Sequence, residues 1–130
     1  MSHTVFLVLS LLFLLQIKHM FADYFLQTQR MLSDRAEYVH VGRVQHVIIH
    51  AIGSAIAFAL LLTNPVFILV TVVIEAVVHY HIDWAKGWYS SAAKQTPMDA
   101  GYWRAMGVDQ ALHQITYIAM AAAWVQYALT

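Results

Sequence analysis

Four long apolar stretches alternate with polar segments along the chain. The first runs from about Thr4 to Gln27, the second from about Val44 to Leu62, the third from about Pro65 to Trp88 and the fourth from about Val108 to Leu129. Each is roughly 19–24 residues, and about 20 helical residues cross a bilayer. No period-two alternation marks a barrel, and backbone groups in hydrocarbon must bond internally, so the stretches read as helices. Thr63-Asn64-Pro65 is a tight break, with Pro65 placed for the first turn of the third helix. Two polar segments, 29–43 and 90–104, make the longer connections. The pattern predicts an all-α fold: a single transmembrane four-helix domain over residues 1–130, with helices at about 4–28, 43–62, 65–89 and 107–129. The first stretch lacks a basic start and a small-residue cleavage site, so it is expected to persist as a mature helix.

Composition sharpens the picture. The chain is 61% hydrophobic and 11% charged, against about 25% charged in a soluble domain. That deficit points to the lipid bilayer as the main partner. The formal net charge is zero and no nucleic-acid motif occurs, so nucleic acid is not expected as a partner. The absence of cysteine excludes disulfides, thiolate metal ligation and a cysteine nucleophile. Lys18, Arg30, Arg35, Arg43, Lys86, Lys94 and Arg104 fall on one side of the predicted bundle. Basic loops stay cytoplasmic, which would put both termini on the non-cytoplasmic side. Trp84, Trp88, Tyr89, Tyr102 and Trp103 suit the cytoplasmic interface, and Trp124 and Tyr127 the opposite one.

Eight histidines among so few charged residues carry the candidate chemistry. Each predicted helix holds one pair of metal-capable residues at i, i+4: His19 and Asp23, His46 and His50, His79 and Asp83, Asp109 and His113. That spacing sets both members of a pair on one helical face. At about 1.5 Å per residue, His19, His50, His79 and His113 lie roughly 22, 18, 21 and 22 Å from the non-cytoplasmic ends of their helices. Alternating helices would bring them to one level in the cytoplasmic half of the membrane. Ionisable groups at that depth face the bundle interior and find partners. Imidazole and carboxylate without thiolate suit zinc, iron or manganese.

The expected ligands of one or two such divalent ions are His19, Asp23, His50, His79, Asp83, Asp109 and His113. Glu75, Lys86 and Gln27 are the expected catalytic and substrate-binding groups. Glu75 reads as a proton relay or general base, or as a neutral interhelical donor. Lys86 reads as an ion-pair partner of Asp83 or a holder of an anionic substrate group. Asp109 has a competing reading as the cap of a helix that starts near Gly107. His46 sits nearer the cytoplasm and is expected to orient a carboxylate rather than bind an ion. Gln110 is expected to support the site by hydrogen bonding. His3, His40 and His81 are expected away from it.

The motifs HMFADYFLQ, HVIIH, HYHIDWAK and DQALH, in that order, resemble a family of small bacterial and phage membrane proteins, the domain-of-unknown-function family numbered 3307. The resemblance implies that Asp23, Gln27, His79, Asp83, Lys86, Asp109 and His113 share a site, and it implies the bacterial inner membrane. The layout is also similar to membrane-bound metal-dependent hydrolases. The expected function is therefore a metal-dependent hydrolase that takes a lipid or other amphiphilic ester or phosphoester from the cytoplasmic side. Three other readings stay open: a b-type haem protein, a small ion- or proton-coupled transporter, and a structural subunit whose fold a metal locks. Self-association of so small a bundle also stays open.

Overall fold

The computed structural model describes residues 2–128. Within them the chain forms five helices: α1 (His3–Tyr24), α2 (Gln29–Leu32), α3 (Val41–Leu60), α4 (Pro65–Ala92) and α5 (Ala100–Tyr127). The fold is all-helical, and α1, α3 and α4 are long and apolar enough to cross a membrane. The fourth predicted span, α5, falls short of them in hydropathy. Its inner face carries Asp109, Gln110 and His113, while Val108, Leu112, Ile115 and Ile118 are exposed on its outer face. The predicted end of that span, Leu129, lies outside the described residues.

Local chemistry sets the helix ends. The Ser2 hydroxyl accepts from Val5 N, and His40 Nδ1 accepts from Arg43 N at the start of α3. Asn64 Oδ1 accepts from Val66 N at 2.8 Å, with Pro65 in the first turn of α4 as its fixed φ favours. Two boundaries differ by more than three residues from the sequence expectation. α1 stops at Tyr24 rather than near residue 28, because Thr28 begins a new turn by capping α2 with its hydroxyl. α5 starts seven residues earlier than expected. Asp99 binds Thr96 N and Oγ1 at 2.8 and 2.9 Å, a local turn that stops the connection short and lets the helix begin at Ala100. Those bonds from Thr96 hold the exposed Asp99 carboxyl below its ordinary pKa. Asp109 consequently lies well inside α5 and caps nothing.

The four long helices close a ring. α3 packs on α1 and α4, and α5 packs on α4 and α1. Neighbours run antiparallel, since 19, 50, 79 and 113 meet at one level and 11, 58 and 124 at another. At the end holding the α3–α4 turn the interior is apolar: Leu11, Leu15, Phe58, Met120 and Trp124 are buried together. Trp124 is therefore a core residue in edge contact with Phe58, not part of an interfacial belt. Bundle-interior packing outweighs the usual preference of tryptophan for the headgroup region.

The segment between α1 and α3 folds back over the other end. Buried Arg43 donates to the carbonyls of Glu37 (2.7 Å), Tyr38 (2.9 Å) and Arg35, and its guanidinium lies over the Tyr80 ring. Gly87 of α4 and Gly42 of α3 let this segment in. A Cβ on Gly87 would collide with the Arg35 carbonyl, and one on Gly42 with the Arg30 carbonyl. Backbone cannot yield as a flexible side chain can. Gly87→Ala is expected to cost about 1–3 kcal/mol and to lift the segment. Faster limited tryptic cleavage after Arg30 and Arg35, relative to the unaltered chain, is the check.

Candidate metal centre

Above the apolar end the bundle interior turns polar in two layers. The lower layer is a buried ion pair. Lys18 Nζ donates to Glu75 Oε1 at 2.6 Å and to the His50 carbonyl at 3.3 Å, and it lies 4.6 Å from the Tyr117 ring centroid. Ser54 Oγ donates to the same Glu75 oxygen at 2.9 Å. Lys18 is therefore an interior group that neutralises Glu75, not a basic residue of the cytoplasmic loops.

The upper layer gathers five imidazoles and two carboxylates from all four long helices. Asp23 of α1 stands between His19, His46 and His50, whose Nε2 atoms lie 3.0, 3.3 and 3.0 Å from its oxygens. Asp83 of α4 stands between His79, His46 and His113, at 3.3, 3.5 and 3.6 Å. The rings are in contact: His50 and His79 centroids are 4.1 Å apart, and His79 and His113 centroids 4.3 Å. Three groups can each offer ligand atoms within 4.8 Å of one another: His19–Asp23–His50, His46–His50–His79 and His79–Asp83–His113. The first and third share no residue, and the middle group bridges them.

Hydrogen bonding distinguishes the two carboxylate-containing groups. His113 Nδ1 donates to the Asp109 carbonyl at 2.8 Å, which leaves the lone pair on Nε2. That Nε2, both ring nitrogens of His79 and Nδ1 of His46 are buried and have no hydrogen-bond partner among the described residues. Buried polar atoms without partners are rare and costly. The His79–Asp83–His113 group thus has free lone pairs, a carboxylate and one imidazole already oriented by a backbone carbonyl, a support usual for metal-binding histidine. The His19–Asp23–His50 group is occupied internally. An ammonium can only donate, so Lys18, 3.3 Å from His50 Nδ1, makes that nitrogen an acceptor and leaves the His50 proton on Nε2, facing Asp23 at 3.0 Å. His19 is held by Tyr117 Oη at 2.8 Å and by the Gln110 amide oxygen at 3.1 Å.

A cavity of about 410 Å³ opens above the cluster, walled by Asp23, Gln27, Arg35, His46, Asp83, Lys86, Asp109 and Gln110 among others. Six of the seven expected ligands fall in the three groups. Asp109 does not: its Oδ2 pairs with Lys86 at 3.1 Å, and its Oδ1 is 4.0 Å from His113 Nδ1. Lys86 therefore pairs with Asp109 rather than Asp83. Gln27 lines the cavity, and Glu75 lies one layer below it. His81 is on the outer surface, bonded to Tyr38 and to its own helix, and His40 caps α3.

Sequence reasoning passed over His46 as a ligand, although its i, i+4 spacing to His50 was the available signal. Lys18, Ser54 and Tyr117 had no such signal, because they join the site only through helix packing.

No curated protein and no solved structure matches the chain. One family model, described as a protein of unknown function (DUF3307), matches residues 11–130, which include every group of both polar layers. The chain belongs to the DUF3307 family.

Proposed function

We propose that the protein is a multi-pass bacterial inner-membrane metalloenzyme, a hydrolase that holds one or two divalent ions and cleaves an ester or phosphoester of an amphiphile from the cytoplasmic side. The unpartnered lone pairs of His79 and His113 beside Asp83 are the observation that carries it. His79–Asp83–His113 would take the first ion, of zinc, iron or manganese, and His19–Asp23–His50 a second only once His50 gives up its Nε2 proton. Such an ion polarises a carbonyl or phosphoryl oxygen and acidifies water. Lys86 and Arg35 on the cavity wall suit an anionic group, and Gln27 and Gln110 supply amides. With one ion bound, Asp23 is the carboxylate on the cavity wall placed to accept a proton. Glu75, already neutralised by Lys18, fits that role less well.

The membrane topology belongs to the same reading. The apolar outer face of α5 supports a fourth span, with its polar stripe turned to the bundle interior. Arg30, Arg35, Arg43, Lys86, Lys94 and Arg104 cluster at the cavity end, which supports a cytoplasmic cavity end with both termini on the other side. Haem fits poorly, because rings in contact leave no slot for a macrocycle between axial ligands. A transport path fits poorly too, since Leu11, Phe58 and Trp124 fill the far half. A metal that only locks the fold is the second reading, favoured by ligands drawn from four helices. The open cavity beside the ligands favours catalysis over it.

Elemental analysis and a visible spectrum of gently purified protein test the proposal. The expected result is about one to two equivalents of zinc, iron or manganese, no Soret band, and phosphoesterase or esterase turnover that a chelator abolishes. Folded protein that binds none of these ions would refute it.

A further inference from the structure

The cavity above the cluster has an apolar neighbour. A groove of about 500 Å³ runs between α4 and α5, bordered by Ile82, Ala85, Val108 and Leu112. Lys86 and Asp109 line both the groove and the polar cavity, so their ion pair is the wall between them. Arg104 also borders the groove. One turn further from the mouth the same seam reopens as a second groove of about 310 Å³, lined by Ile74, Val78, Ile115 and Ala119. Glu75 closes its inner wall, with one oxygen held by Lys18 and Ser54. Small residues line the seam: Ala85 and Ala105 the upper part, and Ala119 and Ala123 the lower part.

We propose that the α4–α5 seam is a lateral lipid site, which holds the acyl chain of a phosphate-headed lipid while the headgroup enters the cavity past Lys86. The inference rests on the hydrolase reading and names its substrate class. Charge complementarity selects the occupant. Lys86 and Arg104 border a groove that is apolar along Ile82, Ala85, Val108 and Leu112 and polar at Tyr89, Gln95 and Asp109, and Arg35 lines the cavity beyond. Three cations along one short path match a phosphate, which can accept from several donors at once, better than a single carboxylate. The phosphate competes with Asp109 for Lys86, so the wall between the two spaces opens as the headgroup passes. The chain then lies where a membrane lipid already is, and no extraction into water is needed.

The test uses full-length protein in phosphatidylcholine nanodiscs doped with a phosphatidic acid that carries a diazirine on its acyl chain. After irradiation, labelled peptides are mapped. Label is expected to concentrate on residues 74–85 and 105–119, about tenfold above the exposed face of α1, and a diacylglycerol or free fatty acid with the same diazirine chain is expected to label the seam about tenfold less. Ala119→Phe should remove the lower part of the label, and Lys86→Met should lower the whole of it. Even labelling around the bundle, or equal labelling by the uncharged probe, overturns the proposal. Metal content measured on the same samples separates the two readings. Seam labelling without bound metal refutes the hydrolase and keeps the lipid site, whereas metal with even labelling does the reverse.

Discussion

Alanine at Asp83 is expected to abolish binding of the first ion, and alanine at Asp109 to leave it nearly unchanged. Asp83 is the only carboxylate in the group whose imidazoles carry free lone pairs, and it lies within 3.6 Å of three ring nitrogens. Removing it takes away the charge that offsets a divalent cation at membrane depth. A supporting hydrogen bond typically accounts for about 10–100-fold in metal affinity, so loss of a ligand itself should exceed that. Asp23→Ala should lose only the second ion, because the first group contains no atom of Asp23. Titration with zinc, followed by elemental analysis after desalting, separates the three variants. Equal loss in Asp83→Ala and Asp109→Ala would contradict the assignment of ligands. Histidine ligation also requires neutral rings, so bound metal should fall on acidification.

The second large effect concerns stability. Lys18→Met leaves the Glu75 carboxylate buried with only Ser54 as a partner, and breaking a buried pair from one side costs about 3–5 kcal/mol. Lys18 and Glu75 side chains are 9% and 1% exposed, so water cannot compensate. The double variant Lys18→Met/Glu75→Leu removes both charges and should recover most of the loss. Thermal or denaturant unfolding in detergent reads the difference. A single variant as stable as the unaltered chain would show that the pair is not buried in the membrane-embedded state.

Much of the site follows from spacing alone. The four i, i+4 pairs that include His19, His50, His79 and His113 put eight polar groups on inward faces at similar depth, and side-chain length did the rest. The order of helices followed from apolar length and the Asn64-Pro65 break. What spacing could not supply is who faces whom across the bundle. Lys86 can reach either Asp83 on its own helix or Asp109 on the next, and only the helix crossing decides for Asp109. Lys18 sits beside His19 in sequence but points one layer lower, to Glu75. The start of α5 was obscured because Gly101 and Gly107 resemble breaks, yet Gly107 meets no neighbour and is simply tolerated in the helix. Trp124 was misplaced for a related reason: a ring near a helix end can face lipid or core, and composition does not distinguish them.

The uneven polarity of α5 bears on how the chain is made. A segment with Asp109, Gln110 and His113 along one side is a poor candidate for spontaneous insertion by itself. If α5 is the proposed fourth span, it would insert against α1 and α4, which offer Gln16 to Gln114 and Lys86 to Asp109. A nascent chain halted after Ala92 would keep His46 and His50 beside Asp83 and His79 but would leave Asp83 without His113 and Lys86 without Asp109.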